Sequence, residues 1–388
     1  MKSSAPRSPA GVFLRRLRGN PAAMTGAVLL GVLYVLALFG SFVAPYDPRR
    51  SRTDAPHHPP TRLRFVDADG RFHGRPFIYR TELVDVLRRK YDEDASVRYP
   101  LRLWARGDRY RLWWLFETDR HLFGLGPPEG PDSAGAALLG QPRLLLFGAD
   151  GLGRCVFSRI LAGGKISLSI GLIGVAITMT LGLIVGGISG YAGGRIDAAL
   201  MRLVELVMSV PVLYLILALR AALSETNPLL GRLFGLAEGE GLESGQIYVL
   251  MVAILGLVYW AGTARVVRGM VLATKELDYV AAARALGASP LRIILFHLLP
   301  NTLTYVIIAA TLSIPYYILG EVTLSFLGVG IEEPQASWGN MLTEAQALRA
   351  LVDFPWLLTP GVFIFLAVFA FNFLGDGVRD ALDPKYLD

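Results

Sequence analysis

Six long apolar stretches constrain this chain more than any other feature. A helix that crosses the hydrocarbon core of a bilayer needs about 20 mostly apolar residues. The stretches cover approximately Ala22–Ala44, Ile166–Ile188, Ala198–Leu223, Ile247–Arg265, Leu303–Leu327 and Trp356–Leu374. Charged residues make up only 18% of the chain, whereas a soluble domain usually carries about 25%. The sequence therefore predicts an all-α membrane protein with six transmembrane helices.

The sequence argues against a cleaved secretory signal and against cysteine-based cross-links or metal clusters. The first stretch is longer than the apolar core of a secretory signal and lacks a clear small-residue cleavage site, so we interpret it as a retained helix. The single cysteine, Cys155, excludes an intramolecular disulfide and a cysteine-based zinc or iron–sulfur cluster.

The distribution of basic residues predicts the orientation. Short cytoplasmic loops are enriched in lysine and arginine. The N-terminal tail carries five basic residues and no acid, namely Lys2, Arg7, Arg15, Arg16 and Arg18. The connection between the fourth and fifth stretches is also basic, with Arg265, Arg268, Lys275, Arg284 and Arg292. The intervening loops are acidic, with Glu225, Glu238, Glu240 and Glu243 in one and Glu332, Glu333, Glu344 and Asp353 in the other. Both termini are therefore predicted to be cytoplasmic.

A long insertion separates the first two stretches. Its segments "LRFVDADGRFHGRPFIY" and "YPLRLWARGDRYRLWWLF" alternate apolar and polar residues around Asp-Gly and Gly-Asp turn signals, a pattern typical of short strands. We expect a partly β domain on the outer side. The predicted layout is a tail over 1–21, a first helix over 22–44, the insertion over 45–165, a five-helix core over 166–375 and a tail over 376–388.

The segment "DYVAAARALGASPLRIILFHLLPN" (278–301) predicts two short helices in the basic connection, 274–300. Thr274 or Asp278 can cap the first helix, and Gly287 suits the left-handed position just beyond a helix end. Ser289 and Pro290 form an N-cap followed by proline at the first helical position. The residues alone leave two interpretations open: a connection that packs on its own bundle, or a surface that another protein approaches.

This segment resembles the Glu-Ala-Ala loop of permease subunits in binding-protein-dependent ABC importers. Gly287, Leu299 and Pro300 match the glycine and Leu-Pro of that pattern, and Ala282 and Ala283 match its alanines. Ala281 stands where the family often has glutamate, and His297 stands at the isoleucine position. The segments 148–171, 324–339 and 371–384 resemble further signatures of the dipeptide and oligopeptide branch, except at Ala149 and Cys155.

The resemblance implies a type I ABC importer fold and the C-type permease role for peptides or a related solute. It implies that the loop docks a cytoplasmic ATPase through Ala281, Ala282, Ala283, Arg284, Gly287, Leu299 and Pro300. The expected partners are a second homologous permease, two ABC ATPases, an extracytoplasmic solute-binding protein and the lipid bilayer of a bacterial inner membrane, without nucleic acid. The ATPases would bind the ATP, and this chain would carry no cofactor.

Ionisable and kinked positions in the stretches are candidates for the transport path. Glu205, Glu321 and Arg220 lie within or near the ends of apolar stretches, where charge usually has a function. Pro211 removes a helical hydrogen bond and predicts a kink. Each of the two glutamates can equally lie at interfacial depth and bond a backbone amide or an arginine. Gly182, Gly186 and Gly190 form a small-residue stripe that allows close helix packing, either static or at a moving interface.

Other function classes fit the sequence less well. A stand-alone secondary transporter or channel would need coupling-ion groups within the spans, and only a few ionisable residues reach that depth. A membrane-bound enzyme would need a nucleophile–base pair or a set of metal ligands. The pair His57–His58, which lies beside prolines, does not by itself form either. The segment "RILAGGKIS" fails as a phosphate-binding loop, because Arg159 replaces its first glycine and Ile166 its hydroxyl residue.

We therefore predict that the purified chain, free of ATPase subunits, hydrolyses ATP only at background rate. Phosphate release measured against ATP concentration is the test. Hydrolysis that saturates with nucleotide would contradict this interpretation.

Overall fold

The computed structural model describes residues 9–113, 115–130, 142–222 and 244–383. Lys2, Arg7, the acids between the third and fourth stretches and the end of the C-terminal tail lie outside these ranges, as does the side chain of Arg220. The chain divides into two compact units. Unit 1 comprises Met1–Leu30, Ser169–Glu321 and Leu366–Asp388, and unit 2 comprises Gly31–Leu168 and Val322–Phe365.

The described residues are mostly helical. The helices are α1 (Pro9–Gly19), α2 (Pro21–Leu38), α3 (Gly40–Val43), α4 (Val156–Ala192), α5 (Gly194–Ser209), α6 (Val212–Ala222), α7 (Ser244–Thr274), α8 (Asp278–Ala285), α9 (Pro290–Ile293), α10 (Leu303–Phe326), α11 (Trp338–Thr343), α12 (Leu348–Asp353) and α13 (Thr359–Leu382). Short 3₁₀ turns cover Leu299–Thr302, Glu344–Gln346 and Pro355–Leu358, and a π turn covers Ile294–Leu298.

Five helical segments in the described ranges are long and apolar enough to cross a membrane. They are Pro21–Leu38, Val156–Ala192, Gly245–Thr274, Pro290–Phe326 and Pro355–Leu382. Helices suit such sequences because every backbone polar group is satisfied within the segment. The number reaches six if α5 and α6 form one broken span. The apolar stretches of the sequence therefore correspond to these helices, although α4 begins well before the predicted edge at Ile166.

The third predicted stretch, Ala198–Leu223, is not one continuous helix. Its axis turns by 94° between α5 and α6. The break falls at Pro211, and the preceding Val210 is extended, with φ −94° and ψ 130°. Proline lacks an N–H and disfavours helical backbone at the residue before it, so the chain leaves the helix there. The predicted kink is therefore a full break.

Glycines in α4 bring α7 into close contact within unit 1. A β-carbon placed on Gly182 would lie 2.6 Å from Thr263 Cγ2, and one on Gly190 would lie 2.8 Å from Val271 Cβ. At Gly186 the nearest atom is the carbonyl oxygen of Ala264, at 2.6 Å. The predicted small-residue stripe is thus a helix-packing surface against α7.

The insertion in unit 2 contains an antiparallel sheet, as the alternating pattern predicts. The strands β1 (Arg64–Val66), β2 (Phe72–Asp85), β3 (Lys90–Leu112) and β4 (Phe116–Leu125) pair in sequence order. The first part of β3 pairs with β2 and its second part pairs with β4. Two hairpins therefore share one long strand. A buried cluster of Ile78, Val97, Tyr99 and Leu144 lies at the junction.

We predict that Gly186→Ala destabilises the protein, whereas Gly262→Ala does not. Alanine favours a helix over glycine by about 1 kcal/mol. At Gly186 the new β-carbon would displace the α7 backbone, and such overpacking costs about 1–3 kcal/mol. At Gly262 a β-carbon meets nothing within 4 Å. Thermal unfolding in detergent should show a lower Tm for Gly186→Ala alone, and equal Tm values would refute the packing role.

Candidate functional site

The loop between α7 and α10 begins with a short helix whose cap differs from the prediction. Leu277, in extended conformation, is the residue before α8 and makes no side-chain cap. Thr274 donates its hydroxyl proton to the carbonyl of Met270, at 3.0 Å, and so belongs to α7. Asp278 lies inside the first turn, where its carboxylate interacts favourably with the helix dipole. The first helix is therefore stabilised by charge rather than by a capping hydroxyl.

The turn after α8 has the geometry that the sequence predicts. Gly287 has φ +79°, in the left-handed region. The amide of Gly287 donates to the carbonyl of Arg284 at 3.0 Å, and the amide of Ala288 donates to that of Ala283 at 3.1 Å. These two bonds form a Schellman motif, which satisfies carbonyls at the helix end. The chain therefore reverses over two residues.

The second helix starts as predicted and then widens. Ser289 is extended and its hydroxyl accepts from the amide of Arg292 at 3.4 Å, with Pro290 in the first helical turn. A π turn and a 3₁₀ turn follow. Pro300 has no N–H for the helical ladder, and π and 3₁₀ turns often occur where that ladder is interrupted. Leu299 and Pro300 thus mark the join between the loop and α10.

An apolar cluster fixes this loop to the helices of unit 1. We call it the anchor cluster; its buried members are Val267, Val271, Val280, Ile293, Ile294 and Leu298. They come from α7, α8 and the second half of the loop. Burying one such side chain fully contributes about 1.5–3 kcal/mol. The two halves of the loop are also tied by Asn301, whose Nδ2 donates to Tyr279 Oη at 2.6 Å and to the carbonyl of His297 at 2.9 Å.

The opposite face of α8 is exposed and built from small side chains. Ala281, Ala282 and Ala285 are exposed, and Leu286 beside them is 89% exposed. Ala283 differs from its neighbours because it is buried. The guanidinium of Arg284 lies 5.8 Å from the centre of the Tyr191 ring, an attractive cation–π geometry. The loop therefore offers a narrow alanine ridge that a groove on another protein can enclose.

A charged contact that sequence reasoning missed joins three helices of unit 1. Asp197 at the start of α5 accepts from Arg268 on α7 through two bonds, Nε to Oδ1 at 2.5 Å and Nη2 to Oδ2 at 2.6 Å. Ser189 on α4 donates to the same carboxylate at 2.5 Å. Paired bonds of this kind fix orientation as well as adding energy. The two partners lie 71 residues apart, and the sequence contains no signal that links them.

The three predicted pathway residues lie in different environments. Glu205 is exposed on α5 and accepts from Arg202 at 2.9 Å, one turn away. Glu321 on α10 is fully buried. Pro211 lies at the break between α5 and α6. An exposed ion pair such as the one on α5 contributes little to stability. Glu321, by contrast, is a buried ionisable group within a candidate span.

A second charged cluster lies in unit 2 and joins residues just before and in the first turn of α4 to the loop after α10. Glu333 accepts from Arg154 Nη1 at 2.5 Å and from Arg159 Nη2 at 2.7 Å. Asp150 accepts from Arg154 Nε at 2.7 Å. Burial disfavours the charged carboxylate of Glu333, but the hydrogen bonds and the positive charges of Arg154 and Arg159 together outweigh burial and lower the pKa of Glu333. The motifs at 148–171 and 324–339 are thus held together by ion pairs, beside a cavity of about 360 Å³.

The histidine pair and the cysteine have local roles. His57 Nε2 lies 2.9 Å from Glu344 Oε1, and His58 Nε2 lies 2.6 Å from Thr81 Oγ1. Burial lowers the pKa of His58, and burial raises the pKa of the Cys155 thiol. Within the described ranges no three His, Cys, Asp or Glu side chains are placed to share a metal ion.

These features define a multi-pass helical membrane protein with an anchored helix–turn–helix loop and a small antiparallel sheet. The model of the family described as "binding-protein-dependent transport system inner membrane component" matches residues 151–388. A second model, the N-terminal transmembrane domain of oligopeptide transport permease C, matches residues 8–60. The chain belongs to the family of binding-protein-dependent transport system inner membrane components.

Named relatives agree with this assignment. The oligopeptide transport system permease protein OppC of Haemophilus influenzae is 42% identical over 240 residues, 62% of this chain and 70% of that protein. The dipeptide transport system permease protein DppC of Bacillus subtilis is 41% identical over 302 residues, 76% of this chain and 86% of that protein. A solved inward-facing structure of the MetNI methionine ABC transporter matches with a TM-score of 0.41 and 19% identity. The match covers 58% of this chain and 96% of that one.

We predict that Gly287→Val loosens the loop and that Gly287→Asn does not. A β-carbon at this position meets nothing within 4 Å, so the substitution changes backbone strain alone. Left-handed backbone costs an ordinary residue about 1–2 kcal/mol, and β-branched residues fit it worst, whereas asparagine tolerates it. Hydrogen exchange of the α8 amides should rise in the valine variant only. Equal exchange in both variants would show that the left-handed turn does not hold the loop.

Proposed function

We propose that this chain is the transmembrane permease subunit of an ABC importer for peptides or a related solute. It would form half of the translocation path with a second homologous permease. Two cytoplasmic ATPases would bind and hydrolyse ATP, and an extracytoplasmic binding protein would deliver the solute. The peptide assignment rests on relatives named as oligopeptide and dipeptide permeases. The sequence of the insertion does not indicate which solute is carried.

The anchored loop is the observation that carries the proposal. Its inner face is held by the anchor cluster, whose members Val280, Ile293 and Leu298 are fully buried. Its outer face presents exposed alanines that let a partner backbone approach closely. A helix seated in a groove of the partner is a recurring recognition mode. We infer that α8 is the ATPase-docking helix, and that Ala281, Ala282 and Arg284 lie at the contact, with Gly287 setting its angle.

The mechanism follows from how the loop is attached. A force applied to α8 is transmitted through buried side chains to α7, because close-packed interiors transmit strain. From α7 it reaches α4 through the glycine contacts and α5 through the Asp197–Arg268 pair. We propose that closure of the ATPases moves these helices together and alternates access to the path by rigid-body movement. Glu205, Pro211 and Glu321 remain the proposed pathway-lining residues.

The orientation is part of the proposal. The basic connection that contains the loop would face the cytoplasm, and both termini would lie on that side. The insertion with the antiparallel sheet would then lie outside the bacterial inner membrane. There it would be available to the binding protein or to the sister permease.

We predict that Ala281→Glu preserves ATPase docking and that Ala282→Glu abolishes it. Both alanines are exposed neighbours on α8, so the same side chain is added one position apart. The family pattern that the loop resembles has glutamate at the first position and alanine at the second, where a longer side chain would fill the groove. Solute uptake and co-purification of the ATPases should fall sharply for Ala282→Glu alone, at matched membrane levels.

The pair of variants also contains its own control. Neither alanine belongs to the anchor cluster, so both proteins should reach the membrane in normal amount. If Ala282→Glu docks and transports like the parent, α8 is not the docking helix. If both variants lose docking, the contact exists but the family register does not apply here.

A further inference from the structure

The hairpin of β3 and β4 exposes an unusual amount of apolar surface near its turn. Leu112 pairs with Phe116 at the end of the ladder. Three large apolar side chains at this turn are exposed: Trp113, Leu115 and Phe116. Leu103 and Trp104 are also exposed, but they lie near the base of the hairpin, where Leu103 pairs with Phe123. Monomeric soluble surfaces rarely expose apolar patches of more than a few hundred Å², and larger ones mark contact with a protein or a membrane. The exposed side chains at this turn therefore form a candidate contact surface.

The turn is attached to the end of a candidate membrane span. Trp113 Nε1 donates to the carbonyl oxygen of Leu38 at 3.1 Å, and Leu38 is the last residue of α2. The Trp113 ring meets Phe39 edge to face, with ring centres 5.0 Å apart. The Trp104 ring lies 5.4 Å from that of Phe42. The apolar patch therefore lies at the depth where α2 would leave the hydrocarbon core.

The patch continues the exposed face of α2. Val32, Val35 and Leu38 are exposed and lie on one side of that helix, at helical spacing. In a membrane protein such a face contacts acyl chains. The Trp113 ring packs on Phe39, directly after the end of α2, and so joins the exposed hairpin side chains to this surface. Tryptophan is enriched at this depth because its ring is amphipathic.

The charges around the patch favour a phospholipid surface over a protein groove. Exposed arginines lie on both strands between the base of the hairpin and its turn: Arg106, Arg109, Arg111 and Arg120. The nearby acids are Asp108, Glu117 and Asp119, and Asp108 is engaged by Arg50 at 2.6 Å. Arginine binds phosphate through planar, paired hydrogen bonds. Its aliphatic stem also lies along apolar surface while the charged head reaches polar groups.

We propose that the β3–β4 turn is a membrane-interface anchor that binds phospholipid. Trp113, Leu115 and Phe116 enter the boundary between headgroups and acyl chains, and the arginines of the hairpin contact lipid phosphates. The anchor holds the sheet against the end of α2 and sets its height above the bilayer. This inference requires that α2 crosses the membrane, and it does not depend on what the protein transports.

Fluorescence quenching from lipid tests the proposal directly. Leu115→Cys in the full-length chain is labelled with bimane and reconstituted in phospholipid vesicles. Leu115 is 76% exposed, so the change should not disturb folding. The native Cys155 is fully buried, and labelling of the parent protein measures any background. Lipids with a nitroxide near the top of the acyl chain should quench the label strongly, whereas aqueous iodide should quench it little.

Leu87→Cys is the matched control, because Leu87 is also a highly exposed leucine, at 87%, beside the other end of β3. Its label should respond to iodide and little to the nitroxide lipid. The proposal is overturned if the label at Leu115 responds mainly to iodide, or if both positions respond equally to the lipid. Shielding of Leu115 from both quenchers would also overturn it, because a protein surface would then cover the turn.

Discussion

The burial of Val280, Ile293 and Leu298 against α7 is the interaction on which the functional part of this structure depends. α8 has eight residues, and an isolated helix of that length is unstable in water. Its exposed face is alanine-rich and contributes little packing. The helix therefore persists because its inner face joins the anchor cluster and because Gly287 turns the chain back toward the same cluster. The interactions that hold α8 in place therefore lie on its inner face, opposite the proposed docking surface.

The attachment of the loop gives the ABC importer mechanism a physical route. Lipid is as apolar as leucine, so helices in a membrane associate by close packing and polar contacts rather than by hydrophobic burial. Unit 1 uses both kinds of contact. The glycines of α4 allow α7 to approach at backbone distance, and the Asp197–Arg268 pair fixes α5 to α7. The loop that contains α8 is anchored on α7. It is therefore connected to α4 and α5 through these two kinds of contact.

Local patterns in the sequence predicted most of this architecture. The spans followed from runs of apolar residues, the sheet from alternation, and the reversal of the loop from Gly287 and Ser289-Pro290, since each signal acts within a few residues. The contacts that the sequence did not reveal are long-range. Two such contacts join charged residues that are far apart in the chain: Asp197 with Arg268, and Glu333 with Arg154 and Arg159. The sequence contains many other acidic and basic residues, and no local pattern shows which of them pair. The 94° break exceeded the predicted kink because Pro211 also forces Val210 into an extended conformation.

We propose that the loop and the helices of unit 1 move as one body when the ATPases close. The distance between spin labels at Leu291, at the start of α9, and Leu203, on α5, tests it most directly. Both side chains are exposed and lie in unit 1, and neither belongs to the alanine ridge. Double electron–electron resonance on the assembled transporter should give the same narrow distance distribution with and without ATP. A distribution that shifts or broadens when ATP binds would show that the loop moves independently of the helices, so that the two do not form one body.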